Sequence, residues 1–282
     1  MPQLLKPNIN YKIGSNGHLH TRLKDLQGRQ DIDILFLGSS HAYRGFDTRI
    51  FEEAGYSAFN LGSSGQTPIN GQVLLKRYLD QLSPELVIYE VFPGSFNSDG
   101  VESSLDIIAN DNNDFQSLLM AVKINHLKTY NTLIFGLYND VFGWNRDFQE
   151  PLSKNSGTYI EGGYVKTEDI FHITPVKDSS SWNWDKKQFR AFEENIEIIQ
   201  KSGAKVVFIK APVTKVLYNA FVDNEEYDRK MKAYGEYFNF NKIVDLVDTL
   251  HFSDTHHLNH QGVQVFNKKL LEVIPLRDLL EK

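Results

Sequence analysis

The sequence predicts an α/β fold: a three-layer, doubly wound parallel sheet carrying an irregular insertion. Three observations lead there. Short continuous apolar runs, such as Ile34-Leu35-Phe36-Leu37, have the composition of strands covered on both faces. Amphipathic helical patterns lie between these runs, so strand and helix alternate along the chain. The first run ends in Gly38-Ser39-Ser40-His41, a tight turn that sets polar side chains at the carboxyl end of a strand, where open sheets of this kind bind their ligands.

Composition narrows the class. The 282 residues suffice for one large domain or two small ones, and a hydrophobic content of 41% supports a sizeable core. A net charge of −6 gives no electrostatic support to a nucleic-acid partner. No run reaches the roughly 18 apolar residues of a membrane span. Met1-Pro2-Gln3-Leu4-Leu5-Lys6 lacks the apolar core of a secretory leader. Without cysteine there are no disulfides and no thiolate-ligated metals.

Residues 1–30, polar and turn-rich with Pro7, Gly14 and Gly17, read as an irregular arm ahead of a domain over 31–282. His18 and His20 alternate as metal ligands can, but no third ligand is near and they read as surface histidines. After the first strand comes a short helix from Phe46 to Gly55, with Asp47 or Thr48 as its cap and Gly55 as its stop. Tyr56 to Leu61 is a second strand. Ile69 to Leu82 is a helix with apolar residues at Val73, Leu74, Leu75, Tyr78 and Leu82, and Leu86 to Phe92 is a third strand. The insertion runs from about 111 to 184. Its first part shows helical spacing at Phe115, Leu118, Leu119, Val122 and Leu127. Its second part, Gly143 to Trp184, is rich in glycine, serine, asparagine and aromatics, among them Trp144, Tyr159, Tyr164, Phe171, Trp182 and Trp184. So long an irregular stretch reads as a functional insertion or lid. Its aromatics serve either to stack on sugar rings or to pack the lid onto the core. The regular pattern resumes with a helix from Asp185 to Ser202, a strand from Lys205 to Ile209, a charged helix from Asn224 to Phe238 and a fifth strand from Ile243 to Val247. A helix from about Asn259 to Val273 and a turn near Leu276 to Leu280 close the chain.

The chemistry lies in two distant stretches. A serine hydroxyl is a poor nucleophile until a base takes its proton. Ser40 follows the strand and turn directly, with Ser39 as the alternative; a plain helix-capping role for Gly-Ser-Ser is the competing reading. Far downstream, Ser253-Asp254-Thr255-His256-His257-Leu258-Asn259 offers an imidazole to accept that proton and a carboxylate three residues earlier to orient it. His256 competes with His257 for the role of base. A metal reading draws on His251, Asp254, His256, His257 and His260, but the sequence cannot make them converge, and no metal is expected.

These blocks resemble those of the SGNH (GDSL-type) hydrolase superfamily. Gly38-Ser39-Ser40 is similar to its first block, Asn60-Leu61-Gly62-Ser63-Ser64-Gly65-Gln66-Thr67 to its second, and Asp254-Thr255-His256-His257-Leu258-Asn259 to its last. The matches come in the family's order and span Asp33 to Asn267. Two departures stand out: Ser39 replaces the first-block aspartate, and the third block, Gly-x-Asn-Asp, is not readable after its strand. A Gly-Ser-Ser first block is closer to extracytoplasmic SGNH-like proteins that work with membrane-bound O-acyltransferases on cell-envelope polymers.

The resemblance implies a triad of Ser40, His257 and Asp254 in an SGNH- or flavodoxin-like sheet. It also implies an oxyanion site from the amides of Ser40 and Gly65, with the Asn97 side chain as the nearest substitute for the missing third donor. His41 and Arg44, just after the nucleophile, are placed to recognise a polar or anionic substrate. The expected function is serine-dependent hydrolysis or transfer of an ester-linked acyl group, acetyl being the plainest, on a carbohydrate or cell-envelope ester. No dissociable cofactor is needed. A membrane acyltransferase is the implied partner and an extracytoplasmic compartment the implied location. The alternative is a catalytically silent protein that keeps the fold as a binding or scaffold module.

Overall fold

A computed structural model describes residues 9–143, 147–167, 176 and 180–280. Trp144 and Phe171 lie outside the described residues. The main sheet has five parallel strands: β1 (Ile34–Leu37), β2 (Ala58–Asn60), β3 (Leu86–Glu90), β7 (Lys205–Lys210) and β8 (Tyr237–Asn239), in the order β2-β1-β3-β7-β8. A smaller antiparallel sheet contains β4 (Ser153–Lys154), β5 (Gly157–Ile160) and β6 (Tyr164–Thr167). The chain first goes to one side of β1 and then to the other, so the switch point of the doubly wound sheet lies at β1 and β3, where such folds hold their ligands.

The apolar runs build two cores because strand side chains alternate between faces. Leu35 and Leu37 join Val73, Leu74, Phe192 and Phe208 on one face of the sheet. Ile34 and Phe36 join Phe46, Phe51, Phe266 and Leu270 on the other. The expected helices form around these cores with their expected caps. Asp47 accepts from the Arg49 amide at the start of the helix Thr48–Glu53, Asp185 from the Lys187 amide at Lys186–Lys201, and Asn259 from the Gly262 amide at His260–Val273. One buried side chain ties the end of the chain to its beginning. The amide of Asn267 donates to the Gly45 carbonyl at 2.6 Å while its oxygen accepts from the Asp47 amide at 2.9 Å.

Four expectations are corrected. The fifth strand is Tyr237–Asn239, in register with Phe208–Lys210, and the stretch from Ile243 to Val247 is a series of turns. The charged helix ends at Lys232, and Gly235, at φ 155°, helps turn the chain into β8. Ile243 and Val244 still pack against the second core, so their apolar alternation recorded burial without strand geometry. The N-terminal arm is not irregular throughout. Leu19–Leu26 is a helix whose Leu19, Leu23 and Leu26 enter the first core, and His18 at its start is buried rather than on the surface.

The insertion holds two helices, Phe115–Ile124 and Leu127–Phe142, whose apolar stripe turns outward: Phe115, Leu118, Val122 and Leu127 are all largely exposed. Its inward face is made of Ser117, Met120 and Ala121, small or flexible residues that allow close packing against Pro68–Leu82. Within the segment read as irregular, residues 153–167 form the small sheet. The Gly162 carbonyl of that sheet accepts from the Asn60 amide at the edge of β2, and Asp25 of the arm accepts from both the Tyr159 hydroxyl and the Gly162 amide.

Candidate active site

β1 stops at Leu37, and Gly38 turns the chain with φ 146°, a conformation that disfavours any side chain. Space demands glycine as well, since a Cβ on Gly38 would lie 2.7 Å from Glu90 Cβ and 3.0 Å from the Glu90 carbonyl oxygen. Ser39 caps the short helix Ser40–Gly45 by accepting from the His41 amide. Ser40 therefore begins a helix directly beyond the strand end, and its side chain is free of the capping task that Ser39 performs.

The base arrives on a turn 217 residues away. The Ser253 amide donates to the His257 carbonyl at 2.9 Å and closes the turn. Inside it, Asp254 Oδ1 accepts from the amides of His256 and His257, both at 2.8 Å. Asp254 Oδ2 lies 2.7 Å from His257 Nδ1, and His257 Nε2 lies 2.7 Å from Ser40 Oγ. The expected trio thus forms one continuous hydrogen-bonded chain. His256, the competitor, makes no hydrogen bond to Ser40, and the Ser39 hydroxyl donates instead to Glu90 Oε2 at 3.1 Å.

The electrostatics follow from burial. Burial lowers the His257 pKa to about 4, more than the hydrogen bond to Asp254 raises it. Burial also pushes the Asp254 carboxyl up, but the His257 bond and the nearby imidazoles hold it well below the ordinary carboxylate range. A neutral imidazole is the form that accepts a proton. For a reaction using His257 as base, the acid limb of kcat/KM should fall near pH 4, with activity rising as pH increases through it. Ester turnover from pH 3 to 8 in EDTA-containing buffer measures this; a limb at pH 6.5 would mean that the imidazole is solvated in the working enzyme.

The amides of Ser40 and Gly65 have no hydrogen-bond acceptor among the described residues, and Gly65 has φ 57° with only the Glu102 carboxylate facing its open side. Asn97, expected as a third oxyanion donor, ends the helix that follows β3, and its Nδ2 donates to no described residue. It is exposed, and its Oδ1 accepts from the Asn183 amide at 2.7 Å, fastening the segment before Lys186–Lys201 to the helix Pro93–Asn97. Asn97 shares no hydrogen bond with the triad.

Of the two expected substrate contacts, His41 is buried, its ring stacked on Phe92 at 4.1 Å between centroids and 5.1 Å from that of His257. It nevertheless lines a small cleft with Arg44, His256 and His257. Arg44 is half-buried and its Nε has no partner. It lines both a small cleft with His256 and His257 and a neighbouring polar cavity of about 110 Å³ with Ser64, Lys154 and Asn155.

The insertion's described aromatics are engaged by protein. Trp182 lies flat on Phe221 at 3.7 Å, Trp184 packs on Phe189 and Tyr227, and the Tyr164 hydroxyl meets His260 Nδ1. Two residues of the alternative metal set are engaged elsewhere: His251 Nδ1 accepts from the Val247 amide, and His260 meets Tyr164. The imidazoles that do come together are His41, His256 and His257.

Glu90 was missed by the sequence reading. It lies fully buried beneath the turn, and burial raises its pKa to about 8 despite the Ser39 hydrogen bond. An acid inside the apolar run Leu86-Val87-Ile88-Tyr89-Glu90-Val91-Phe92 was the available signal.

No protein-family model matches this sequence. No curated protein matches it. Among solved structures, it is similar to a GDSL-like lipase from Bacteroides thetaiotaomicron, with 11% identity, 91% of this chain and 96% of that chain covered, and a TM-score of 0.45. It is also similar to a protein from Bacteroides fragilis assigned as an acylhydrolase, with 13% identity, coverage of 92% and 95%, and a TM-score of 0.44.

Proposed function

We propose that this protein is a serine-dependent ester hydrolase or O-acyltransferase working through an acyl-enzyme. The observation that carries the reading is the unbroken chain from Ser40 Oγ through His257 to Asp254, with both contacts at 2.7 Å. His257 Nε2 takes the serine proton as Oγ bonds to the ester carbonyl carbon. Negative charge gathers on the carbonyl oxygen, and the amides of Ser40 and Gly65 are the donors available to it. Collapse expels the alcohol, which receives the proton from His257. Water or an acceptor hydroxyl then repeats the sequence in reverse and frees Ser40.

The substrate class is a finer proposal. The polar cavity beside Arg44 suits an ester whose alcohol half is hydrophilic, and an O-acetylated carbohydrate is the plainest example. A membrane-bound acyltransferase partner would fit the same role in cell-envelope modification. An oriented sugar hydroxyl in that cavity would compete with water for the acyl-enzyme. The competing reading is a silent scaffold that keeps the fold, and it rests on the unreadable third block after β3.

A fluorophosphonate probe separates the two. The enzyme reading expects stoichiometric labelling at Ser40, located by peptide mass spectrometry. It further expects acyl release from a small ester to accelerate with a suitable saccharide, with acylated sugar appearing as product. An unlabelled Ser40 in folded protein would favour the scaffold, and release indifferent to every envelope-type glycan would favour a plain esterase.

A further inference from the structure

The turn that delivers His257 also delivers His256, and the helix that begins with Ser40 carries His41 as its second residue. Each ring offers one nitrogen to a group in which the three atoms lie within 4.8 Å of one another. His41 Nδ1 faces Ser39 Oγ at 3.1 Å, which leaves Nε2 as the inward atom. That Nε2 is buried with no hydrogen-bond partner, and so is His256 Nδ1. Buried polar atoms are paired in the great majority of cases, so two orphaned imidazole nitrogens in one cluster call for an explanation. On His257, Nδ1 is held by Asp254, and Nε2, which meets Ser40 Oγ at 2.7 Å, would exchange that contact for the ion.

We propose that His41, His256 and His257 form a zinc site, and that Zn²⁺ bound there switches the ester chemistry off. Three imidazole nitrogens with one open position is a common zinc geometry. The supporting contacts match it too: Asp254 on His257 Nδ1 makes the carboxylate–histidine pairing that orients zinc ligands, and the Ser39 hydroxyl, itself bonded to Glu90, orients His41. A tetrahedral site with Zn–N bonds of about 2.0–2.1 Å sets its nitrogens roughly 3.4 Å apart, so atoms that lie within 4.8 Å of one another need to close in by at most about 0.8 Å each. His256, the most exposed of the three with its side chain 41% exposed, has the most freedom to do so.

Binding uses the lone pairs of three neutral imidazoles and breaks no covalent bond. It occupies the His257 Nε2 lone pair that would otherwise take the Ser40 proton. The functional half of this inference rests on the ester-hydrolase reading; the binding half does not.

The test is equilibrium dialysis of the full chain against buffered free Zn²⁺, beside ester turnover measured at the same free zinc. About one Zn²⁺ per chain should bind, turnover should fall in parallel, and EDTA should restore it. His256→Ala should weaken zinc binding by about ten-fold or more, and whatever turnover it shows in EDTA should no longer fall at zinc concentrations that silence the unaltered protein. Co²⁺ gives a readout independent of activity, since a tetrahedral site shows intense visible absorption bands that the His256→Ala protein should lack. No saturable binding, binding unchanged by His256→Ala, or turnover unaffected when the site is filled would each overturn the proposal. Stoichiometric, His256-dependent binding to a protein with no turnover would uphold the site and reject the ester-hydrolase reading instead.

Discussion

Ser40→Ala should reduce turnover of a small ester such as p-nitrophenyl acetate by about a million-fold, to the level set by the remaining amides and binding groups. The protein should stay folded, because Ser39 rather than Ser40 caps the helix and Ser40 Oγ has His257 as its hydrogen-bond partner. His257→Ala should do nearly as much damage, since a hydroxyl without its base is a weak nucleophile. The double variant should be no worse than either single one, because the three groups act as a unit. Asp254→Asn should cost somewhat less: it leaves the turn hydrogen bonds in place but removes the charge that steadies the imidazolium. Steady-state kinetics with circular dichroism as the folding control decide the matter. Full turnover in purified Ser40→Ala protein would reassign the nucleophile.

Gly38→Ala is expected to be the most damaging single-methyl change near the site. It meets two penalties at once, a φ of 146° and a Cβ 2.7 Å from Glu90 Cβ with the Glu90 backbone close behind. Strain and overpacking together amount to roughly 2–6 kcal/mol, a fall in Tm of about 3–10 °C for a chain of this size. Gly55→Ala is the matched control, because its φ of 92° is also unfavourable while a Cβ there meets nothing within 4 Å. It should cost about 1–3 kcal/mol at most. Equal losses in the two variants, read by thermal unfolding, would mean that the crowding against Glu90 relaxes freely.

The contrast between what the sequence revealed and what it concealed has a physical basis. β1, its turn and the Asp254–His257 loop were legible because each is a local pattern: an apolar run, a glycine, and a carboxylate three residues from an imidazole. The fifth strand was missed because Ile243 to Val247 and Tyr237 to Asn239 are both apolar enough, and only pairing with Phe208–Lys210 chooses between them. Glu90 could be noticed as an acid in an apolar run. Its position under Ser39 depends on the register that sets Leu37 beside Tyr89, and a single strand does not carry that information. Asn97 was proposed from proximity in sequence to the missing third block. Its hydrogen bond to Asn183 spans 86 positions and was invisible for the same reason. The outward stripe on Phe115–Ile124 shows the limit of periodicity itself: the spacing locates a helix face correctly without saying which side of it meets the core.

The Asn267 clamp has a consequence for how such a chain comes to life on the ribosome. Its bonds to Gly45 and Asp47 reach across 222 and 220 positions, and His257 reaches Ser40 across 217. Ser40 leaves the exit tunnel 217 positions ahead of His257 and waits, without its base, until that stretch is translated. Closing so long a loop is an entropic cost that only late contacts can offset. Amide hydrogen bonds in the core of the helix His260–Val273 are among those contacts. On the ester-hydrolase reading, the nascent chain is therefore chemically silent until that stretch is complete, and reactivity is a property of docking the helix His260–Val273 rather than of forming β1.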